Sequence, residues 1–179
     1  MLMDVQQIWV QAAARVAERL HHGQMDKAGV DYFQGHLSTV ASLGRTWQEK
    51  VVGYLHDASE DTPYSLEQVL ILLEEEAQVK MDEEVKEEIK QALHLLNHHL
   101  ASDRESYIRD IASHSLARAV KMNDLTHNMD LQRLPAPTAK DYQRLERYRR
   151  EYEYLSRQEQ IDACQACLLV EWTLAEALS

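Results

Sequence analysis

The chain has 179 residues, a formal net charge of −11 and 45% apolar side chains, enough for one domain that buries roughly two-thirds of the surface its unfolded chain exposes. A balance this acidic, with no basic patch to displace counterions from a phosphate backbone, argues against non-specific nucleic-acid binding, and no nucleic-acid partner is expected. No stretch approaches the roughly eighteen apolar residues of a membrane span and no cationic leader precedes an apolar core, so a cytoplasmic protein with no membrane partner is expected.

Apolar residues recur at three- and four-residue spacing over 4–22, 46–59, 65–79, 82–98, 103–113, 115–130, 138–157 and 159–178, and no segment alternates with period two. The pattern predicts an all-α bundle of about seven to nine helices in a single domain over 1–179. The five glycines all fall in the first third of the chain, and of the three prolines Pro135 and Pro137 mark a short interhelical turn. Helix starts are expected at Ser65 with Gln68 three later, at Ser102 with Glu105, and at Thr138 ahead of Asp141. The acids Glu74–Glu76 and 82–88, interleaved with Lys80, Lys86 and Lys90, read as a solvated helix face. Arg144, Arg147, Arg149 and Arg150, mixed with Tyr142, Tyr148, Tyr152, Tyr154 and three glutamates, read as an exposed salt-bridged face. Among the histidines, His94, His98, His99 and His114 are expected to face solvent. Cys164 and Cys167 have neither a βαβ setting nor a second ligand pair nearby, and are expected on the buried face of the last helix. Nothing in the sequence sets an oligomeric state.

The chemistry concentrates in two segments, His56-Asp57-Ala58-Ser59-Glu60-Asp61-Thr62 and Lys121-Met122-Asn123-Asp124-Leu125-Thr126-His127-Asn128, with His36 upstream. The first follows the apolar run Val51, Val52, Tyr54, Leu55, where so many charges are costly to bury without a cation. In the second, Asp124 and Asn128 share one helical face and Lys121 lies one turn earlier; His127 is either a neighbour of the site or a packing residue. Two imidazoles and two carboxylates, His36, His56, Asp57 and Asp124, make a mixed nitrogen and oxygen set that admits Mn²⁺, Fe²⁺ or Zn²⁺. Glu60 and Asp61, one turn beyond, are candidates to orient a water or carry its proton.

These segments resemble the HD-domain metal-dependent phosphohydrolases, and within them the alarmone (guanosine 3′,5′-bis-diphosphate) hydrolases, over roughly residues 15–135. The likeness rests on His22-Gly23-Gln24-Met25-Asp26-Lys27-Ala28-Gly29, on His36 followed by Val40-Ala41, on His56 to Thr62 and on Lys121 to Met129. It implies one metal ion, usually Mn²⁺, on His36, His56, Asp57 and Asp124; Glu60 and Asp61 as the acid–base and water-orienting pair; and Lys27 and Asn128 on the nucleotide, with Lys121 a further nearby cation. The implied reaction removes the 3′-pyrophosphate of a guanosine alarmone, a small phosphorylated nucleotide. The chain departs from the family pattern at Leu37 (commonly Pro), at Leu125 (commonly Arg) and at Asp26, where long members carry an Arg-Lys pair; none of these is a proposed ligand. The same metal set would also serve hydrolysis of nucleoside monophosphates or other nucleotides, or a nucleotide-binding scaffold without turnover. No synthetase domain is expected after Ser179.

Overall fold

The structure, a computed structural model, describes the backbone of residues 4–177 and side chains up to residue 165. The end of the last expected helix at residue 178 and the Cys167 side chain lie outside the described residues. The described chain is all-helical: α1 (Val5–Leu20), α2 (Ser38–Ser42), α3 (Trp47–Leu55), α4 (Ala58–Asp61), α5 (Leu66–Ala77), α6 (Glu83–Leu96), α7 (Arg104–Ala112), α8 (Ser115–Met129) and α9 (Ala139–Ala177). The expected bundle of seven to nine helices is therefore what forms, and among the described residues no helix is long and apolar enough to cross a membrane.

Caps set most of the boundaries. Ser65 and Gln68 make the full reciprocal capping box of α5, and Asp4, Thr46 and Asp82 accept from the first-turn amides of α1, α3 and α6. At α7 the cap falls one residue later than expected. Asp103 takes the Ser106 amide at 2.8 Å, while the Ser102 hydroxyl bonds to the Asp103 carboxylate. At α9 Asp141 reaches back to the Thr138 amide at 2.9 Å, as anticipated.

Three stretches differ from the periodicity. The segment 46–59 is broken at His56-Asp57, so that α3 and α4 are separate helices. The last two expected helices are one 39-residue helix, because no breaker stands near residue 158 and Leu155 keeps the chain on the core. A π-helical turn, Phe33–Leu37, runs directly into α2, in a region without a recognised helical pattern. Such turns widen the helix by one residue and recur at functional sites.

The centre of the bundle is α3, with α1, α2, α6 and α8 around it. Its Val51, Val52 and Leu55 are buried against Trp9, Ala12, Ala13, Val16 and Ala17 of α1 and Ile89 and Leu93 of α6. Gly53 makes one approach possible: a Cβ there would stand 2.8 Å from the Ala41 Cα, so only glycine lets α2 lie this close to α3. That contact sets the separation between the segments bearing His36 and His56. Helix α9 packs across α8 and α7, anchored by Leu155 and by Arg118–Asp162 at 2.6 Å. Cys164 is exposed on α9, contrary to the buried position expected for it, because α9 at this point has run past the core. The acids Glu74 and Glu76 are not merely solvated; they pair with Lys86 at 2.8 Å and with Arg15 at 2.6 Å.

Candidate metal centre

Four donor atoms from three segments meet around the Nε2 of His36. It lies 3.3 Å from His56 Nε2, 3.3 Å from Asp124 Oδ1 and 3.5 Å from Asp57 Oδ2, and His56 Nε2 is 3.0 Å from the same Asp57 oxygen. Donors bound to one ion at about 2.0–2.3 Å stand about 3.0–3.7 Å apart when adjacent, in octahedral or tetrahedral geometry. These four separations match that spacing; His36, His56 and Asp124 form a group whose donor atoms all lie within 4.8 Å of one another, and Asp57 joins it through its contacts with the two imidazoles rather than as a mutual neighbour of all three. His36, His56 and Asp124 are buried, at 4%, 4% and 6% exposure.

The tautomers favour a cation. His56 Nδ1–H donates to the Gly53 carbonyl at 2.8 Å, leaving Nε2 as a lone pair. His36 Nδ1 stands 2.8 Å from His127 Nδ1, and donation from His36 leaves its Nε2 as a lone pair as well. Two lone pairs and two carboxylate oxygens then face one another with nothing positive between them, which is costly in a buried site. In the metal-free protein a proton on His36 relieves part of that cost: burial opposes the charge, but Asp124 and Asp57 outweigh it and the pKa is pushed up to about 9. Burial, together with the neighbouring His36 and Arg133 charges, pushes His127 down to about 4, so it accepts. The donor set fits a divalent ion of the Mn²⁺, Fe²⁺ or Zn²⁺ kind.

Each donor is also held from behind, as ligands usually are. Asp57 Oδ2 accepts from the Tyr32 hydroxyl at 2.6 Å. Asp124 Oδ2 accepts from Lys121 Nζ at 2.9 Å, and Asp124 Oδ1 from Asn128 Nδ2. Burial works against both charges of the Lys121–Asp124 pair, yet their attraction holds Asp124 well below the usual carboxylate range and Lys121 above its own. Lys121 is buried and sits over the Tyr107 ring, 5.2 Å from its centroid. Lys121 and Asn128, expected to contact a nucleotide, both line the cavity, and each donates one hydrogen bond to Asp124.

The donors form the floor of a cavity of about 370 Å³, whose walls include Lys27, Tyr32, Glu60, Asp61, His98, Arg104, Tyr107, Arg133 and Tyr148. Lys27 is exposed at the tip of a tight loop in which Asp26 Oδ1 accepts from Ala28 and Val30 amides at 2.8 and 2.9 Å and Gly29 takes a positive φ of 77°. Asp26 Oδ2 receives Arg133 at 2.9 Å, and Arg133 donates on to Asn128 Oδ1 at 3.3 Å. The residue that departs from the family pattern thus anchors the Lys27 loop to the end of α8.

Glu60 and Asp61 also line the cavity, and among the described residues neither belongs to the group formed by His36, His56 and Asp124. Both Glu60 oxygens are engaged by His98, one by its backbone amide at 2.9 Å and one by its Nδ1. Burial and the neighbouring Asp57 and Glu60 charges raise the pKa of Asp61. A carboxyl group moved upward in this way holds a proton more readily than an ordinary aspartate, as a proton carrier must.

Sequence reasoning missed Tyr32, Arg133 and His98. Tyr32 had a signal, since it lies four residues before His36 on a helical turn. Arg133 follows Asn128 by five residues, beyond a short turn, and only the fold brings it to Asp26. His98 was expected to face solvent and is indeed exposed, but it is also tied to Glu60. The Arg/Tyr helix forms the expected pairs, such as Arg150–Glu146 at 3.1 Å, while its Tyr148 enters the cavity wall and its Glu151 holds Arg104 at 2.7 Å.

No family model matches this chain, and no curated protein matches it.

Proposed function

We propose that this protein is a metal-dependent phosphohydrolase of the HD-domain type. The observation that carries the reading is the convergence of His36, His56 and Asp124 on a cavity floor, with Asp57 Oδ2 3.0 and 3.5 Å from the two imidazole Nε2 atoms. We assign the ion as Mn²⁺ and the substrate as a guanosine alarmone nucleotide losing its 3′-pyrophosphate, in the cytoplasm. When bound, a divalent ion supplies Lewis acidity, lowering the pKa of water and polarising a phosphoryl oxygen.

The chain's own residues would divide the remaining work. Tyr32, His127, Lys121 and Asn128 fix the orientation of the donors, so that little reorganisation is left for the reaction. Asp61 carries the proton between water and the leaving group, and Glu60, clamped by His98, shapes the carboxylate face beside it. Lys27 is a cavity cation without an ion-pair partner among the described residues and takes a phosphate of the substrate. Attraction of so anionic a ligand to an acidic protein needs such local cations.

The test is a nucleotide panel assayed with Mn²⁺ on metal-stripped protein. The reading expects pyrophosphate from guanosine tetraphosphate and pentaphosphate alarmones and no turnover before Mn²⁺ is added. Phosphate released from nucleoside monophosphates, without pyrophosphate from alarmones, would move the substrate to the simpler nucleotides; ion binding without turnover of any nucleotide would leave a scaffold.

A further inference from the structure

On the wall of the cavity, a second group of possible ligands is held in place by a buried amide. Asn97 is 7% exposed, whereas the two histidines that follow it are exposed. Its Nδ2 donates to the Ser59 carbonyl at 3.3 Å and to the Ser59 hydroxyl at 3.2 Å, and its Oδ1 accepts from the His99 amide at 3.0 Å. A buried side chain satisfied in this way fixes the short 3₁₀ turn His98–Leu100 against α4. Glu60, on α4, is thereby brought to His98, whose amide and ring nitrogen engage its two oxygens.

Neighbouring residues in a 3₁₀ turn point roughly 120° apart, yet the His98 and His99 rings come together, with centroids 4.1 Å apart. A nitrogen from each ring and a carboxylate oxygen of Glu60 lie within 4.8 Å of one another. Donors on opposite sides of one ion are separated by at most about 4.0–4.6 Å, twice a bond length of about 2.0–2.3 Å. Small rotations of two exposed imidazoles suffice to close the group on an ion.

We propose that Glu60, His98 and His99 form a second divalent-cation site, separate from the buried donors and set on the wall of the same cavity. Two imidazoles and one carboxylate are a borderline ligand set that takes Zn²⁺, Fe²⁺ or Mn²⁺ and leaves coordination positions open to an oxygen ligand. The cavity has use for such a charge. It is lined by five carboxylates (Asp26, Asp57, Glu60, Asp61, Asp124), while three of its four Lys and Arg side chains already hold a carboxylate. An ion on Glu60 would neutralise one of the five and face phosphoryl oxygens opposite the floor; that use rests on the phosphohydrolase reading, whereas the site itself does not.

Zn²⁺ titrated into metal-stripped full-length protein, followed by calorimetry and by elemental analysis after dialysis, decides the matter. Wild type should hold two ions per chain, the second with a Kd at or below about 10 µM. The double variant His98→Ala/His99→Ala, whose exposed positions leave the fold intact by circular dichroism, should hold one. His36→Gln, or Asp57→Asn should that variant fold poorly, should keep the wall ion and lose the other. An unchanged stoichiometry and affinity in the double variant overturns the proposal, as does an absence of bound ion in wild type. A single wild-type ion that survives His98→Ala/His99→Ala but not His36→Gln overturns it while leaving the buried centre standing; the reverse pattern upholds it and removes the buried centre.

Discussion

The floor and the wall of the cavity are built in opposite ways. On the floor every donor is backed by another group, and all but the half-buried Asp57 are buried: His36 by His127, His56 by the Gly53 carbonyl, Asp57 by Tyr32, Asp124 by Lys121 and Asn128. On the wall Lys27, Asp61 and His98 are exposed, and Lys27 is placed by backbone turns rather than by packing. A metal site needs donors that cannot move away from one another, since each misplaced ligand forfeits affinity. A substrate site needs cations and proton carriers that can still adjust to what enters.

The largest effect should follow from opening the floor. Asp124→Ala leaves the buried Lys121 without its partner, so urea denaturation of the metal-free protein should show a loss of about 3–5 kcal/mol. The same variant should bind no Mn²⁺ at the buried site by elemental analysis. A stability within 1 kcal/mol of wild type would mean that Lys121 finds water or another acceptor and that the floor is less closed than its burial suggests.

Changes on the wall should leave the floor intact. Asp61→Asn should lower kcat by about a hundred- to ten-thousand-fold with Mn²⁺ content unchanged. Loss of Mn²⁺ from that variant would instead put Asp61 among the ligands. Next in size is His127→Phe, which removes the acceptor behind His36 without touching the ion: Mn²⁺ affinity, measured by competition with a chelator, should fall about ten- to a hundred-fold. An unchanged affinity would make His127 a packing residue only. The smallest effect belongs to the loop tip. Lys27→Ala should raise KM by about tenfold and leave kcat nearly unchanged, because a ground-state phosphate contact is uniform binding. A fall in kcat at constant KM would give Lys27 a part in the transition state.

The contrast between floor and wall also explains what was legible in the sequence. His56-Asp57 and Asp124 stand out because carboxylates beside an apolar run demand compensation, and the burial of His56 and Asp124 follows from the same helical periodicity that gives α3 and α8. The all-α class and the caps at Ser65 and Asp141 were local and therefore readable. Lys121 and Asn128 were legible as site residues, while their hydrogen bonds to Asp124 were not, because spacing tells which face a residue shares and not which neighbour takes its donor. The π turn that carries His36 was hidden, since one inserted residue blurs the periodicity by which a helix is recognised. Arg133–Asp26 and His98–Glu60 join residues far apart in the chain, and no local pattern announces either.

The central claim is that four side chains from three segments close on one ion. Anomalous diffraction from a crystal grown with Mn²⁺ tests it most directly. The account predicts a peak at about 2.0–2.3 Å from His36 Nε2, His56 Nε2, an Asp57 oxygen and Asp124 Oδ1. No peak at that position, or any of the four donors more than about 6 Å from the others, well beyond twice a metal–ligand bond, would contradict it.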